Sequence, residues 1–282
     1  MDLLSSLCLK LLQSATVGAL INMQTHHVFV IAECGVNHDG SLDKAKRLID
    51  AAKTAGADAA KFQYFSSHKL WMDERIKHLE LRFSEMVLLH NYCQQAGIEF
   101  MCTPFGVEEV ILLRQLLKRY KIASGCLTRR PILEAIYDTG LPVIASTGMA
   151  TMEEITVADQ VFWDRELTLL HCTSAYPCPI ADVHLKAMLT LGDMFNTPVG
   201  YSDHTKGVTV AIAAAAMGAS VIEKHLTLNC AANGPDHAAS IEPAEFSVMV
   251  KAIRTVEDAL GSSAKQITPS EMALREQWHV AA

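Results

Sequence analysis

The sequence lacks the features that mark nucleic-acid-binding proteins. It has no run of basic residues and no aromatic residues interleaved with cations, and its 24 Lys and Arg against 31 Asp and Glu give a net charge of -7. This balance argues against a nucleic-acid surface, so we expect no nucleic-acid partner. A negatively charged substrate would therefore need a local cluster of lysines.

Signals of secretion, membrane insertion and paired cysteines are also missing. The eight cysteines contain no C-x-x-C pair, and several lie inside apolar runs, which suits reduced thiols in a core. The mildly apolar start has Asp2, only Lys10 as a cation and no clear small-residue cleavage site. It is a poor signal peptide and too interrupted to span a membrane. We expect a cytoplasmic protein with no membrane partner, and an N-terminal extension over residues 1–27.

Short β-branched runs alternate with longer amphipathic stretches eight times from Val28 onward. The predicted strands are 28–34, 57–63, 99–103, 119–123, 142–146, 167–172, 197–201 and 220–225. The predicted helices are 42–55, 84–96, 107–117, 131–139, 152–161, 183–194, 207–217 and 243–260. A glycine follows five of them at the expected C-cap: Gly56, Gly97, Gly140, Gly218 and Gly261. Eight βα units predict an α/β fold, a single-domain (β/α)8 TIM barrel over residues 28–262, rather than a doubly wound sheet.

Polar residues cluster where the predicted strands end, which is the catalytic face of a parallel barrel. Lys61 and Lys121 are each flanked by apolar strand residues, and a lysine in such a place is costly unless it meets an anion. The hydroxyls that could share a phosphate or carboxylate with them belong to Thr103, Ser124, Ser146 and Ser202. The alternative is that each lysine forms a structural ion pair with a strand-end carboxylate such as Glu33 or Glu223.

Two histidines at neighbouring strand ends, His204 and His225, form a candidate site for a divalent metal ion. The alternative is chance, because the chain has twelve histidines. Glu33 follows an apolar strand and is a candidate for proton transfer, or for pairing with a lysine. Asp236, in a Gly-Pro-Asp-His turn, could bind substrate hydroxyls or cap the turn.

Seven motifs, in order, resemble those of the sialic acid synthase family, the N-acetylneuraminate synthases and their legionaminate and pseudaminate relatives. They are IAECGVNHDG at 31–40, KFQ at 61–63, KIASG at 121–125, STGM at 146–149, HCTSAYP at 171–177, YSDH at 201–204 and GPDH at 234–237. The similarity runs from about Val28 to about Gly261. It implies condensation of phosphoenolpyruvate with a 2-acetamido hexose such as N-acetylmannosamine, giving a nine-carbon sialic acid and phosphate. The alternatives are a synthase for legionaminic or another nonulosonic acid, and a catalytically weak barrel that only binds ligand.

The resemblance also implies roles for individual residues. A divalent ion, manganese or magnesium, on His204 and His225 would polarise the open-chain aldehyde as a Lewis acid. Glu33 would orient or exchange protons at the reacting centre, and Gln63 and Asp236 would contact the sugar. Phosphoenolpyruvate would be held by Lys61, Thr103, Lys121, Ser124, Ser146, Ser174, Tyr176 and Ser202. A homodimer is expected as well.

Two departures from the family pattern affect the sugar. Cys126 stands where the family usually has an acid that touches the sugar, and a thiol does not accept hydrogen bonds as a carboxylate does. Residues 263–282 resemble the linker into a C-terminal antifreeze-like domain, which we expect this chain to lack. Both departures predict weakened sugar binding.

Overall fold

The computed structural model describes residues 27–66 and 74–279. Apart from His27, the predicted N-terminal extension lies outside the described residues. Residues 27–259 form one compact unit, the barrel, and the described part of a second unit, 260–279, contains one helix. The proposed boundaries at 28 and 262 stay predictions. None of the described helices has the length and apolar character needed to cross a membrane.

Eight parallel strands form a nearly closed barrel, with helices between them. The strands are β1 Phe29–Gly35, β2 Ala59–Tyr64, β3 Glu99–Pro104, β4 Tyr120–Ile122, β5 Val143–Ser146, β6 Leu167–His171, β7 Val199–Asp203 and β8 Val221–His225. The helices are α1 Leu42–Thr54, α2 Phe83–Ala96, α3 Val107–Leu113, α4 Arg130–Tyr137, α5 Met152–Val161, α6 Ala187–Phe195, α7 Thr209–Ala216, α8 Pro243–Leu260 and, in the second unit, α9 Pro269–His279. The strands pair in the order β3-β2-β1-β8-β7-β6-β5-β4. The predicted TIM barrel is confirmed.

The predicted element boundaries differ from the observed ones mainly in two helices. The helix expected over 107–117 ends at Leu113, where the chain tightens and the Leu116 N–H bonds to the Leu113 carbonyl. The helix expected from residue 183 begins at Ala187, because His184 has a positive φ of 45°. All five predicted C-cap glycines have positive φ, between 46° and 95°.

The barrel interior is filled in layers, apolar below and polar above. The apolar layer contains Ile31, Ala59, Met101, Ile144, Leu170 and Val221. Two residues further along the chain in each case lie Glu33, Lys61, Thr103, Ser146, Cys172 and Glu223. Because strand side chains alternate between faces, a step of two residues stays in the interior and moves toward the C-terminal ends. At Gly200 of β7 the apolar layer has no space for a side chain, since a Cβ there would lie 2.3 Å from the Val221 carbonyl oxygen.

Candidate active site

A polar cavity at the C-terminal ends of the strands brings together most of the predicted site residues. It is lined by Glu33, Lys61, Gln63, Thr103, Lys121, Ala123, Ser124, Ser146, Cys172, Tyr176, Ser202, His204, Glu223 and His225. The two remaining predicted residues lie beside it. The Ser174 hydroxyl is 2.8 Å from that of Ser124, and Asp236 Oδ2 is 3.7 Å from His225 Nδ1. Side chains from all eight strands or the loops after them therefore converge on one face.

Two buried lysines and two buried carboxylates form a charged quartet in the polar cavity. Lys61 Nζ pairs with Glu33 and lies 3.4 Å from Glu223 Oε2. Lys121 Nζ lies 3.6 Å from Glu223 Oε1. The ion pairs considered as an alternative to ligand binding are therefore present. The two lysines are not equally paired. Among the described residues, Lys61 has two carboxylates within 4 Å and Lys121 has one.

The pKa shifts of the quartet reflect this uneven sharing. Burial by itself would lower the pKa of Lys61, but Glu223 and Glu33 outweigh it and raise that pKa above its usual value. Burial lowers the pKa of Lys121, since Glu223 offsets the loss of water only in part and Lys61 adds repulsion. Burial would raise the pKa of Glu223, yet Lys121 and Lys61 lower it to about 2. Lys121 is thus the cation that gains most from an incoming anion.

Three hydroxyl groups contact members of the charged quartet. Lys61 Nζ donates a hydrogen bond to Thr103 Oγ1 over 3.1 Å, and Lys121 Nζ donates one to Ser146 Oγ over 2.7 Å. The Ser202 hydroxyl donates to Glu223 Oε1 over 2.8 Å. These hydroxyls can reorient toward a phosphate or carboxylate, because each is both a donor and an acceptor. The cavity is therefore equipped for an anion.

The histidine pair is oriented in a way that suits metal binding. The rings of His204 and His225 have centroids 5.6 Å apart. His204 Nδ1 is 2.7 Å from the Thr173 carbonyl oxygen, so it carries the proton and leaves the Nε2 lone pair available. Burial, followed by the neighbouring His225, lowers the pKa of His204 to about 3, which keeps the ring neutral. His225 Nδ1 is buried and makes no hydrogen bond within residues 27–66 and 74–279.

The residues assigned to proton transfer and to the sugar meet around Gly35. Gln63 Nε2 donates a hydrogen bond to Glu33 Oε1 over 3.1 Å. Gly35 has a positive φ of 48°, and a Cβ there would lie 3.0 Å from Asp236 Oδ2 and 3.1 Å from Glu33 Oε1. Glycine is required at this position both by its backbone conformation and by the close approach of the two carboxylates.

A second, apolar cavity of about 150 Å³ adjoins the polar one. Its lining residues are Val36, Gln63, Phe65, Ile76, Leu79, Phe105, Tyr176, His225, Pro235 and Asp236. Three of these residues, Gln63, Tyr176 and His225, also line the polar cavity. The two cavities therefore lie side by side and share these three side chains as a wall.

The structure changes the interpretation of Cys126. Its side chain is 1% exposed, belongs to the main apolar core and lines neither cavity. The expectation that Cys126 weakens sugar binding through a lost contact is therefore not supported by its position. Three lining residues were absent from the predicted site, Ala123, Cys172 and Glu223. The signal for Glu223 was its place two residues before His225, on the same face of β8.

Comparison with known proteins agrees with the resemblance seen in the motifs. The model of the NeuB family matches residues 48–265. An uncharacterized protein of Methanocaldococcus jannaschii is 47% identical over 86% of this chain and 75% of its own length. The N,N'-diacetyllegionaminic acid synthase of Legionella pneumophila is 43% identical over 88% of this chain and 77% of its own. The crystal structure of a sialic acid synthetase from Leptospira borgpetersenii, solved with citrate, superposes with a TM-score of 0.85 at 36% identity, covering 93% of this chain and 95% of that one. The chain belongs to the NeuB family.

Proposed function

We propose that this protein condenses phosphoenolpyruvate with a 2-acetamido hexose to give a nonulosonic acid and phosphate. The observation that carries the proposal is the charged quartet, in which Lys121 lacks full compensation and faces hydroxyls and two imidazoles across one cavity. Relatives named as sialic and legionaminic acid synthases support the same reaction class. N-acetylmannosamine and a legionaminate precursor are both candidates for the sugar.

The lysines and hydroxyls are suited to hold phosphoenolpyruvate. Its phosphate and carboxylate would bind between Lys61 and Lys121, where the Thr103 and Ser146 hydroxyls already accept hydrogen bonds from the two ammonium groups. Ser124, Ser174 and Ser202 would complete the polar wall, with the Tyr176 ring in contact with both histidine rings. An anion placed here gains charge-assisted hydrogen bonds in a buried site.

His204 and His225 are suited to hold a divalent ion, manganese or magnesium. The fit rests on the neutral His204 ring, whose proton is on Nδ1, and on the buried Nδ1 of His225, which makes no hydrogen bond to any described residue. Within 27–66 and 74–279 no group of three or more His, Cys, Asp or Glu forms a complete metal cluster, so water and substrate would supply the other ligands. When bound, the ion supplies Lewis-acid polarisation of the sugar aldehyde.

Glu33 is positioned to transfer protons at the reacting centre. Carbon 3 of phosphoenolpyruvate bonds to the aldehyde carbon, the aldehyde oxygen gains a proton, water adds at carbon 2 and the intermediate expels phosphate. Glu33 lies between Lys61 and Gln63, so its carboxylate is held toward the boundary of the two cavities. In this arrangement it would exchange a proton with the sugar oxygen or the attacking water.

Phosphate release from phosphoenolpyruvate, measured with a panel of 2-acetamido sugars with and without manganese, tests the proposal. We expect release that requires both sugar and metal. The competing function, a barrel that binds ligand without turnover, predicts calorimetric binding of phosphoenolpyruvate with no phosphate release from any sugar. Chelation followed by return of manganese tests the metal. The homodimer and the cytoplasmic location stay predictions.

A further inference from the structure

A threonine, a histidine and an aspartate form a hydrogen-bonded triplet between the loops after β8 and β1. His237 is fully buried. Its Nδ1 lies 2.6 Å from the Thr227 hydroxyl, and its Nε2 lies 3.0 Å from Asp39 Oδ1. Thr227 and His237 belong to the loop after β8, and Asp39 belongs to the loop after β1. Because β1 and β8 are paired strands, the triplet ties two neighbouring loops together.

The proton positions in the triplet follow from the charge of Asp39. Burial by itself would raise the pKa of Asp39, but hydrogen bonds from Lys44 and His237 outweigh it and lower that pKa, so Asp39 is a carboxylate. A carboxylate only accepts hydrogen bonds, so His237 Nε2 carries a proton and donates it. In the neutral ring, the Thr227 hydroxyl then donates to His237 Nδ1, and it accepts a 3.2 Å bond from the Asn229 amide. Both ring nitrogens are therefore paired.

The order hydroxyl, imidazole, carboxylate is that of a nucleophilic triad, but the burial of the triplet excludes that role. In a triad the histidine activates a hydroxyl that a substrate can reach. Thr227 is fully buried and lines neither the polar nor the apolar cavity. Its hydroxyl is therefore closed to substrates. What the triplet does is hold the segment to which His237 belongs.

The residue before His237 is Asp236, which this segment brings into the candidate active site. The Asp236 carboxylate is 17% exposed, and its Oδ2 lies 3.7 Å from His225 Nδ1. The Asp236 carbonyl accepts a 2.6 Å hydrogen bond from the Ser240 hydroxyl. That hydroxyl in turn accepts a 2.9 Å bond from the Asn37 amide group, which comes from the loop after β1. Asp236 is therefore anchored through its own backbone and through the side chain of the next residue.

The glycine of the Gly-Pro-Asp-His turn packs its backbone against the His237 ring. A Cβ at Gly234 would lie 2.6 Å from His237 Cδ2 and 3.5 Å from Asp39 Oδ1. The ring could not give way, because both of its nitrogens are bonded. Of the four residues in this turn, Pro235 and Asp236 line the apolar cavity, and Gly234 and His237 line neither cavity. The first and last residues of the turn therefore hold the two between them in place.

We propose that His237 is a positioning residue, which Thr227 and Asp39 hold from opposite sides so that the Asp236 carboxylate stays beside His225. This inference rests on the proposed function, in which His225 binds the divalent ion. A carboxylate this close to a ligating imidazole steadies the ring and adds negative charge near the ion. Loss of such an outer partner weakens metal binding by about 10- to 100-fold. His237 acts on the metal site only through Asp236, and this restriction can be tested.

A double-mutant cycle, read by calorimetric titration of the full chain with Mn²⁺, tests the inference. Thr227→Val keeps the shape of the side chain but removes its hydroxyl, and it should weaken Mn²⁺ binding about tenfold. Asp236→Asn should weaken that binding at least as much. In the Asp236→Asn background, Thr227→Val should have no further effect, because the carboxylate that the triplet positions is gone. The control Thr255→Val removes an exposed hydroxyl from α8 and should leave the Mn²⁺ affinity unchanged.

Asp39 offers the same test from the other side of His237, and it decides the question if Thr227→Val does not fold. Asp39 has a positive φ of 52°, so Asp39→Gly removes the carboxylate without straining the backbone. It should weaken Mn²⁺ binding in the parent and not in the Asp236→Asn background. Asp39→Asn tolerates the same backbone conformation and keeps an acceptor for His237 Nε2, so it should retain most of the affinity.

The outcomes separate this inference from the proposed function. Equal losses of Mn²⁺ affinity from Thr227→Val in the parent and in the Asp236→Asn background would show a merely structural role and overturn the inference. So would no loss in either background, or a parent that does not bind Mn²⁺. Phosphate release from phosphoenolpyruvate and a 2-acetamido sugar, measured on the same parent, decides the condensation separately. Mn²⁺ affinities that follow the cycle in a chain that releases no phosphate support the positioning role and overturn the condensation.

Discussion

Buried lysines in two regions of the barrel, Lys224 on β8 and the pair Lys61 and Lys121 on β2 and β4, serve two different purposes. Lys224 of β8 faces away from the barrel interior and is fully buried with Asp203. Its Nζ donates to Asp203 Oδ2 over 2.8 Å and to the Thr205 carbonyl, while Asp203 Oδ1 accepts 2.8 Å bonds from the Thr205 amide and hydroxyl. This pair is saturated and closed to ligands.

Lys121, in the polar cavity, differs from Lys224 in how its charge is met. Its carboxylate neighbour Glu223 is 3.6 Å away and is shared with Lys61. The hydrogen bonds of Lys121 Nζ go to neutral acceptors instead, to Ser146 Oγ over 2.7 Å and to the Ile122 carbonyl over 3.1 Å. A saturated pair stabilises a fold, whereas an incompletely matched cluster in a cavity keeps binding capacity for a ligand. Burial of a lysine is therefore not enough to identify a ligand-binding site.

The largest expected effect is a loss of stability when the Lys224–Asp203 pair is broken. Lys224→Met leaves the buried Asp203 carboxylate without its cation, so the free energy of unfolding should fall by about 3–5 kcal/mol. Chemical denaturation measures it. A second variant that adds Asp203→Leu replaces both charges by apolar groups and should recover part of the loss, because the buried Thr205 amide and hydroxyl then lack their acceptor. An unchanged denaturation midpoint for Lys224→Met would contradict the distinction between the Lys224–Asp203 pair, which stabilises the fold, and the lysines of the polar cavity, which bind a ligand.

Lys121→Met should affect binding more than folding. Phosphoenolpyruvate affinity should weaken by on the order of 2 kcal/mol or more, because a charge-assisted contact is lost. The free energy of unfolding should fall less than in Lys224→Met, since removing a cation whose pKa burial has lowered relieves a cost. Isothermal calorimetry measures the phosphoenolpyruvate affinity, and chemical denaturation measures the free energy of unfolding. The matched control is Lys118→Met, which makes the same change at an exposed lysine. Unchanged affinity would contradict the anion site.

The pH dependence of stability tests a third buried group, His38, which lies beside Phe62. Burial lowers the pKa of His38 to about 4 from 6.5. The unfolded chain therefore binds the proton first, so stability is highest above about pH 6.5 and is lost as pH falls toward 4. We expect about 2 kcal/mol less stability at pH 5 than at pH 7 from this residue.

His38→Asn should flatten that slope and keep a side-chain acceptor for the Gly40 amide, which now bonds to His38 Nδ1 over 3.0 Å. Denaturation midpoints at pH 7, 6 and 5 give the slope. The exposed His184→Asn serves as the control. The same slope in the His38 variant as in the parent would show that burial of this ring is not responsible.

The smallest effect is expected for Cys126. It follows the cavity-lining residue Ser124 by only two positions, but its side chain packs in the main apolar core. Cys126→Ala should lower the free energy of unfolding by about 1 kcal/mol, as expected for a small core deletion. KM for the sugar should not change, because the thiol lines neither cavity. Steady-state kinetics with the preferred sugar measures this KM. A raised sugar KM would restore the first interpretation, in which position 126 faces the sugar.

The sequence alone determined the barrel and most of the site through local patterns. Eight alternations of strand and helix predict a parallel barrel, and a parallel barrel places all strand ends on one face. Lys61, Lys121, His204 and His225 were found because each interrupts or ends an apolar run. These properties depend on neighbouring residues in the chain, so no tertiary information was needed to recognise them.

Only the tertiary structure decided which polar groups share an environment. Lys121 and Lys224 both lie in apolar strands, and strand register decides that one faces the cavity and the other Asp203. The short helical turn after Ser124 turns Cys126 into the core. The apolar cavity brings together hydrocarbon side chains that nothing in their own segments singles out: Val36, Phe65, Ile76, Leu79 and Phe105. Charge sharing, burial and cavity shape depend on distances between segments far apart in sequence, and local patterns do not contain those distances.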